Sequence, residues 1–199
     1  MAGACAGRAA DRTRLARMAS HSIAPRAPIE KRVSAPRRYP CFGWTIHPLR
    51  PPPALDWIRR ETETLGFDLA SQPKTGAILA ALVASKPGGR FLELGTGTGC
   101  ATAWLLAGMD GASSLDTVDI DPEVVEVAKR YLSDDRRVSF HVMDGDAYLD
   151  GVSNQFDLVF ADAWTGKFTQ CDEVLALVRP GGFYVVDNLL PQSNWPAGH

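Results

Sequence analysis

The stretch from Phe91 to Gly99, FLELGTGTG, decides the fold of this chain. An apolar run that contains an acidic residue enters a loop with glycine at every second position, and an apolar helical segment begins at Cys100. This order predicts a strand, a tight turn and the N-terminus of a helix, which is where an α/β protein holds an adenosyl cofactor. Glycine suits the turn because a nucleoside can lie against the backbone only where no Cβ intervenes.

A second acidic residue follows the glycine-rich loop after twenty residues. The segment 115–120 predicts the next strand, and this strand carries Asp119 near its carboxyl end. A carboxylate at that point can accept hydrogen bonds from both ribose hydroxyls of the cofactor. The cofactor-binding residues predicted in this region are Glu93, Gly95, Thr96, Gly97, Gly99, Asp119 and Ile120.

The spacing of the glycines distinguishes two classes of cofactor. A nicotinamide-binding loop usually reads GxGxxG, so that the helix N-terminus receives a pyrophosphate. Here the spacing is GxGxG, and Cys100 takes the sixth position. Glu93 would repel a pyrophosphate but suits S-adenosylmethionine (SAM), which carries a sulfonium and an ammonium and no phosphate. The alternatives are a nicotinamide site and a glycine turn that only packs a helix onto a sheet.

With Glu93 before it and Asp119 after it, the loop resembles the first motif of the class I SAM-dependent methyltransferases. Predicted strands at 90–94, 115–120, 137–142, 156–161 and 183–186 alternate with helices. This alternation predicts an α/β fold with a doubly wound, mainly parallel, Rossmann-like sheet. The family continues past the fifth strand, so the resemblance implies that the last C-terminal strands are lacking and that strand five is an open edge.

Polar residues follow the fourth and fifth predicted strands, whose carboxyl ends face the ligand crevice of a parallel sheet. Asp162 comes directly after strand four, and Asp187 and Asn188 come directly after strand five. Oxygen ligands with positions left for water and substrate are what Mg²⁺ prefers. The alternative is that these residues only cap the strand ends and the helices that follow.

The strings FDLVFADAW (156–164) and GGFYVVDN (181–188) resemble those of the catechol and caffeoyl-CoA O-methyltransferase family. The resemblance implies that Asp162, Asp187 and Asn188 bind a divalent metal. It also implies that a hydroxyl of a small, catechol-like molecule receives the methyl group, since coordination to Mg²⁺ favours the reactive oxyanion. A homodimer is a further expectation from the family.

The resemblance is incomplete at the general base. The family carries a lysine directly after the tryptophan that corresponds to Trp164, and here Thr165 takes that position. Lys167, two residues later, is the predicted base beside Asp162, and a solvated loop lysine is the alternative.

The adenine of the cofactor is expected near the end of the third strand. Asp144 is predicted to accept a hydrogen bond from the exocyclic amine, and Gly145 is predicted to allow close approach of the backbone. Asp146, the next residue, reads as a helix N-cap.

The charge is distributed unevenly along the chain. Residues 1–40 hold nine Lys or Arg and two acids, whereas residues 41–199 hold 12 basic and 21 acidic residues. Eight of the 14 prolines lie between Pro25 and Pro53. Residues 1–53 are therefore predicted to form a basic, disordered tail, and residues 54–199 a C-terminally short SAM-binding methyltransferase domain. An acidic domain argues against nucleic acid as the substrate.

Composition also predicts where the protein resides. The sequence holds no run of 18 apolar residues that would span a membrane, and its four scattered cysteines form no C-x-x-C pair. The cytoplasm is the expected location, with an organelle transit peptide in the basic tail as the alternative.

Three functions are thus open from the sequence. The first is a metal-assisted, SAM-dependent O-methyltransferase for a small hydroxylated molecule. The second is a truncated, non-catalytic relative that binds the cofactor or a partner, and the third is an NAD-dependent oxidoreductase.

Overall fold

The computed structural model describes residues 50–189, so the predictions for the basic tail lie almost entirely outside the described residues. The described part holds six helices and five strands. In chain order they are α1 (Leu55–Leu65), α2 (Pro73–Ala84), β1 (Arg90–Leu94), α3 (Cys100–Gly108), β2 (Ser114–Asp119), α4 (Pro122–Leu132), β3 (Val138–Val142), α5 (Gly145–Asp150), β4 (Phe156–Ala161), α6 (Cys171–Ala176) and β5 (Val178–Val186). None of these helices is long and apolar enough to cross a membrane.

The five strands form one sheet in the order β3-β2-β1-β4-β5, and every pair is parallel. The prediction of a Rossmann-like parallel sheet is confirmed. Successive residues of β1 point to opposite faces, so Phe91 joins a core with α1, α2 and α3, while Leu92 joins a second core with α5 and α6. Both side chains are fully buried.

The order of the strands creates the crevice for a ligand. The chain runs from β1 outward to β2 and β3, and then returns to the other side of β1 for β4 and β5. The loops that leave β1 and β4 therefore diverge at their carboxyl ends, and ligands bind at such a switch point. The two loops still touch at their start, because a Cβ added to Gly95 would lie 2.9 Å from the carbonyl carbon of Asp162.

Strand β5 begins five residues earlier than the predicted segment. Phe156 pairs with Val178 and Leu158 pairs with Phe183, so residues 179–182 bulge out of the ladder. The carboxylate of Asp157 stabilises this irregularity, because it accepts hydrogen bonds from Arg90 N (2.9 Å) and Arg179 Nη1 (2.8 Å). Within residues 50–189, β5 pairs only with β4 and forms an edge of the sheet.

Helices α2 and α3 pack closely because a glycine lies at their contact. A Cβ added to Gly108 would lie 2.2 Å from the carbonyl oxygen of Ala80 and 2.7 Å from Val83 Cγ2. Backbone atoms leave no room there, so the two helices can approach this closely only if the position is glycine.

We expect Gly108→Ala to lower the free energy of unfolding by roughly 1–3 kcal/mol, because the added methyl group overpacks the α2–α3 contact. Gly111→Ala is the matched control, since nothing lies within 4 Å of a Cβ at that position. Its effect should stay within about 0.5 kcal/mol. Urea unfolding followed by circular dichroism measures both variants. Equal stability of the two would contradict the packing account.

Candidate active site at the carboxyl edge of the sheet

The loops after β1, β2, β4 and β5 surround a cleft of about 360 Å³. Eight of the residues predicted from the sequence line this cleft. They are Gly95, Thr96, Gly97, Asp119, Ile120, Asp162, Lys167 and Asn188. Topology alone brings them together, since they come from four separate segments of the chain.

The glycine-rich loop is tied to the end of β2. Gly95 N and Thr96 N both donate to the carbonyl oxygen of Val118, at 2.8 Å and 3.2 Å. Gly97 N donates to Asp119 Oδ2 at 2.7 Å, and Asp121 N donates to Asp119 Oδ1 at 3.0 Å. The carboxylate of Asp119 therefore has a fixed orientation at the wall of the cleft.

Gly97 is required by the backbone of this loop. Its φ of 51° lies in the left-handed region, and a Cβ there would also lie 3.2 Å from the ring of Phe67. Gly99 also has a positive φ, of 90°, and in addition its Cβ would lie 2.7 Å from the Cβ of Ala128 in α4. Gly99 thus packs a helix and does not line the cleft formed by the described residues.

The linker between α1 and α2 forms a wall that the sequence reading missed. Phe67, Leu69, Ala70 and Ser71 line the cleft, and Ser71 Oγ donates to Asp162 Oδ2 at 2.9 Å. These side chains carry no motif of their own. The sequence marks only the two ends of the linker. Gly66 is the left-handed C-cap of α1, and Pro73 begins α2.

Asp162 is the centre of a polar cluster. Besides Ser71, it contacts Lys167 Nζ and Asn188 Nδ2, each 3.5 Å from Asp162 Oδ1. Burial raises the pKa of Asp162 above its ordinary value; the hydrogen bond from Ser71 and the charge of Lys167 act against this rise, and the charge of Asp187 adds to it. Asp162 thus lies between one basic group, Lys167, and one acidic group, Asp187, at the edge of the cleft.

The three predicted metal ligands lie together at this edge. Asp187 does not line the cleft, and its Oδ1 accepts from Asn188 N at 2.8 Å. Asn188 has a φ of 56°, a left-handed conformation that asparagine tolerates. Among residues 50–189, no cluster of three or more His, Cys, Asp or Glu side chains is arranged to hold a metal ion. The predicted ligands, Asp162, Asp187 and Asn188, include only two such side chains, because Asn188 is an amide.

The loop after Trp164 turns back on itself and brings Lys167 to the site. Lys167 N donates to the carbonyl oxygen of Trp164 at 3.0 Å, and Gly166 adopts a φ of 78° at the reversal. The hydroxyl of Tyr184 donates to the carbonyl oxygen of Gly166 and fastens the loop to β5. The side chain of Lys167 is only 6% exposed, so it is not a solvated loop lysine.

Thr165, which stands where the resembling family has its lysine, points away from the cleft. Its hydroxyl donates to Asp146 Oδ1 at 2.5 Å, and the residue is buried. A Cβ added to Gly145 would lie 2.7 Å from the same hydroxyl, so the atoms that closely approach Gly145 belong to Thr165.

Asp144, not Asp146, is the N-cap of α5. Asp144 Oδ1 accepts hydrogen bonds from Asp146 N at 2.9 Å and from Ala147 N at 3.1 Å. Neither Asp144 nor Gly145 lines the cleft that the described residues form. Their contacts to the adenine stay predictions.

Glu93 lies beneath the glycine-rich loop and is fully buried. The hydroxyls of Thr102 and Thr117 both donate to Glu93 Oε2, each at 2.6 Å, while Oε1 has no hydrogen-bond partner among the described residues. Burial raises the pKa of Glu93 to about 8; the threonine hydroxyls act against this rise, and the carboxylates of Asp162 and Asp119 add to it. Burial therefore favours the protonated, neutral form of this group.

We expect the free energy of unfolding to fall as the pH rises from about 4.5 to about 8, by up to about 1.4 kcal/mol per pH unit from this group. In that range the folded chain keeps a proton on Glu93 that the unfolded chain has lost. Glu93→Gln should remove this part of the slope, and Glu173→Gln, at an exposed position of α6, should retain it. Urea unfolding at several pH values measures the slope, and an unchanged slope in Glu93→Gln would contradict the assignment.

Comparison with known proteins agrees with this architecture. Residues 91–182 match the family of the methyltransferase domain. A candidate O-methyltransferase of Mycobacterium avium (strain 104) is 34% identical over 127 residues, which are 59% of this chain and 55% of that protein. The chain thus spans about half the length of the curated relatives it matches.

Two solved structures share the fold. The O-methyltransferase TomG from Streptomyces achromogenes, involved in tomaymycin synthesis and solved with SAM, superimposes with a TM-score of 0.61 at 27% identity, over 68% of this chain and 65% of that one. A candidate O-methyltransferase from Klebsiella pneumoniae has a TM-score of 0.62 at 27% identity, over 71% of each chain.

The parallel sheet, the glycine-rich loop and these matches point to one class of protein. The chain is similar to the class I SAM-dependent methyltransferases. The relatives and the solved structures described above are named O-methyltransferases.

Proposed function

We propose that this protein is a SAM-dependent O-methyltransferase that transfers a methyl group to a hydroxyl of a small molecule. The main support for the proposal is that the glycine-rich loop and the polar cluster around Asp162 line the same cleft. The glycine-rich loop, held by Asp119, lies on one side of it, and the cluster of Asp162, Lys167 and Asn188 lies on the other. A methyl donor and a polar acceptor can thus meet in one place, and holding two reactants together supplies much of the rate of such a displacement.

The cleft has the charge that SAM requires. Asp119 and Asp162 line it, and Glu93 lies beneath its floor. Carboxylates favour a sulfonium and an ammonium, whereas they would repel the pyrophosphate of a nicotinamide cofactor. The ribose is expected at Asp119, and the adenine is expected beside Ile120.

We propose further that Asp162, Asp187 and Asn188 hold a divalent cation such as Mg²⁺. The donor chemistry fits, because two carboxylates lie close enough for one to raise the pKa of the other, and an amide adjoins them. A half-turn of the Asn188 amide would present its oxygen in place of Nδ2. A bound ion would favour the oxyanion of the acceptor hydroxyl.

Lys167 is the proposed general base. Its Nζ lies 3.5 Å from Asp162 Oδ1, inside the cleft, so it can reach a hydroxyl that is held at Asp162. In its neutral form the amine would take the proton from the acceptor hydroxyl as the oxygen attacks the methyl group. Trp164 and Phe168 flank the same region and supply apolar walls for the acceptor.

We expect the full chain to convert SAM and a catechol into a methyl ether and S-adenosylhomocysteine (SAH), with turnover that requires Mg²⁺ and stops in excess chelator. Asp162→Asn should lower kcat/KM by about 100-fold or more, because the acceptor oxygen loses its position. Asp150→Asn, at the exposed end of α5, is the matched control and should leave turnover unchanged. Chromatography of the methylated product measures both.

Two outcomes would contradict these proposals separately. Undiminished turnover in chelator would exclude the metal site while leaving the methyltransferase. Absence of methyl ether with a broad panel of hydroxylated acceptors, by a chain that binds SAM, would exclude the proposed activity.

A further inference from the structure

We propose that Glu93 makes the cleft distinguish the charged cofactor from its neutral product. Glu93 carries a proton when the cleft is free of cofactor, releases it when a sulfonium occupies the cleft, and takes a proton up again when transfer leaves a thioether. This inference rests on the proposed function, because it takes SAM as the ligand of the cleft.

The surroundings of Glu93 suit a group that changes its protonation. Its backbone pairs with Thr117 in β2 and Phe160 in β4, at the centre of the sheet and two residues before the glycine-rich loop. Both hydroxyl donors meet the same oxygen, Oε2, and Oε1 is buried without a partner among residues 50–189. Burying a carboxylate with one oxygen unsatisfied is costly, so the neutral acid is favoured.

The charged groups that act most strongly on Glu93 do not offset that cost. They are Asp162 after β4 and Asp119 after β2, and both are acids. The third neighbour is the thiol of Cys100 at the start of α3, whose pKa is itself raised by burial. A sulfonium in the cleft would add a positive charge that favours the Glu93 carboxylate, and this charge is present in SAM and absent in SAH.

A chain of two hydroxyl groups connects Glu93 to the cleft. The Oγ1 atoms of Thr96 and Thr117 lie 2.6 Å apart, and Thr117 Oγ1 donates to Glu93 Oε2. When Thr117 donates its one hydroxyl proton to the Glu93 carboxylate, Thr96 is the donor to Thr117. Thr96 also lines the cleft, so the polar path from the ligand to the buried carboxyl is short. In such a water-poor interior, charge interactions are stronger than in water.

The reaction itself changes the charge that Glu93 senses. The acceptor oxygen forms a bond to the methyl carbon, the carbon–sulfur bond breaks with its electron pair left on sulfur, and the hydroxyl proton of the acceptor passes to the proposed base, Lys167. The sulfonium of SAM becomes the neutral thioether of SAH, so the Glu93 carboxylate loses its attraction to the sulfonium. SAH is therefore bound more weakly than SAM and is released more readily.

The inference predicts a proton count. At pH 7, binding of SAM should release about one proton more than binding of SAH, since Glu93 titrates at about 8 in the cofactor-free chain. Both ligands carry an α-amino group, which the sulfonium makes more acidic in SAM, so Glu93→Gln is needed to measure the part of the difference that comes from this group. As the pH is raised toward about 8, the ratio of the affinity for SAM to the affinity for SAH should increase by up to about tenfold per pH unit.

Calorimetric titration of the full chain with SAM and with SAH, in phosphate and in Tris buffer, measures the protons released through the different ionisation enthalpies of the buffers. Glu93→Gln should lose about one proton of the difference between the two ligands, and Glu173→Gln should behave as the wild type. Even if Glu93→Gln does not fold, equal counts for SAM and SAH in the wild type overturn the inference.

The possible results separate the two proposals. A difference of about one proton, lost in Glu93→Gln, supports the inference. Equal counts for SAM and SAH overturn it and leave the proposed methyltransferase intact. A folded chain that binds neither ligand overturns both.

Discussion

The hydrogen bond from Gly97 N to Asp119 Oδ2 is the contact on which the site depends. It joins the turn after β1 to the end of β2, and the carboxyl ends of these neighbouring strands lie side by side because the strands are parallel. With the loop held there, Gly95 can lie against the backbone of Asp162 after β4. The bond of 2.7 Å thus holds the cofactor side of the cleft together, and the approach of Gly95 to Asp162 joins that side to the acceptor side.

The crowding of acidic side chains is the second constraint. Asp119, Asp162 and the buried acid of Glu93 crowd the carboxyl edge of the sheet, and Lys167 is the basic side chain that meets Asp162 there. Such crowding is unfavourable in an isolated protein and favourable around a cationic ligand. The cost to stability is consistent with a site that is built to bind a cation, because strain and polar burial concentrate at functional sites.

The sheet could be predicted from local sequence patterns. Strands that are buried on both faces, such as β1 and β4, are short apolar runs that alternate with helical segments. Local sequence also predicted most of the cleft, since the ends of parallel strands must meet at one edge. It could not predict contacts that depend on tertiary packing. Ser71 approaches Asp162 across 91 positions of sequence, and a Cβ at Gly99 would meet Ala128 in another helix. The turn that returns Lys167 depends on Tyr184 in β5, which no local pattern reveals.

The most direct test of the account is calorimetric titration of the full chain with SAM and, in parallel, with NAD⁺. We predict a dissociation constant of about micromolar order for SAM, or about −8 kcal/mol, and no heat from NAD⁺. Asp119→Ala should weaken SAM binding at least about tenfold, whereas Asp134→Ala, at an exposed position after α4, should not. Binding of NAD⁺ without binding of SAM, or equal affinities of the two variants, would contradict the central claim that this edge of the sheet is a SAM site.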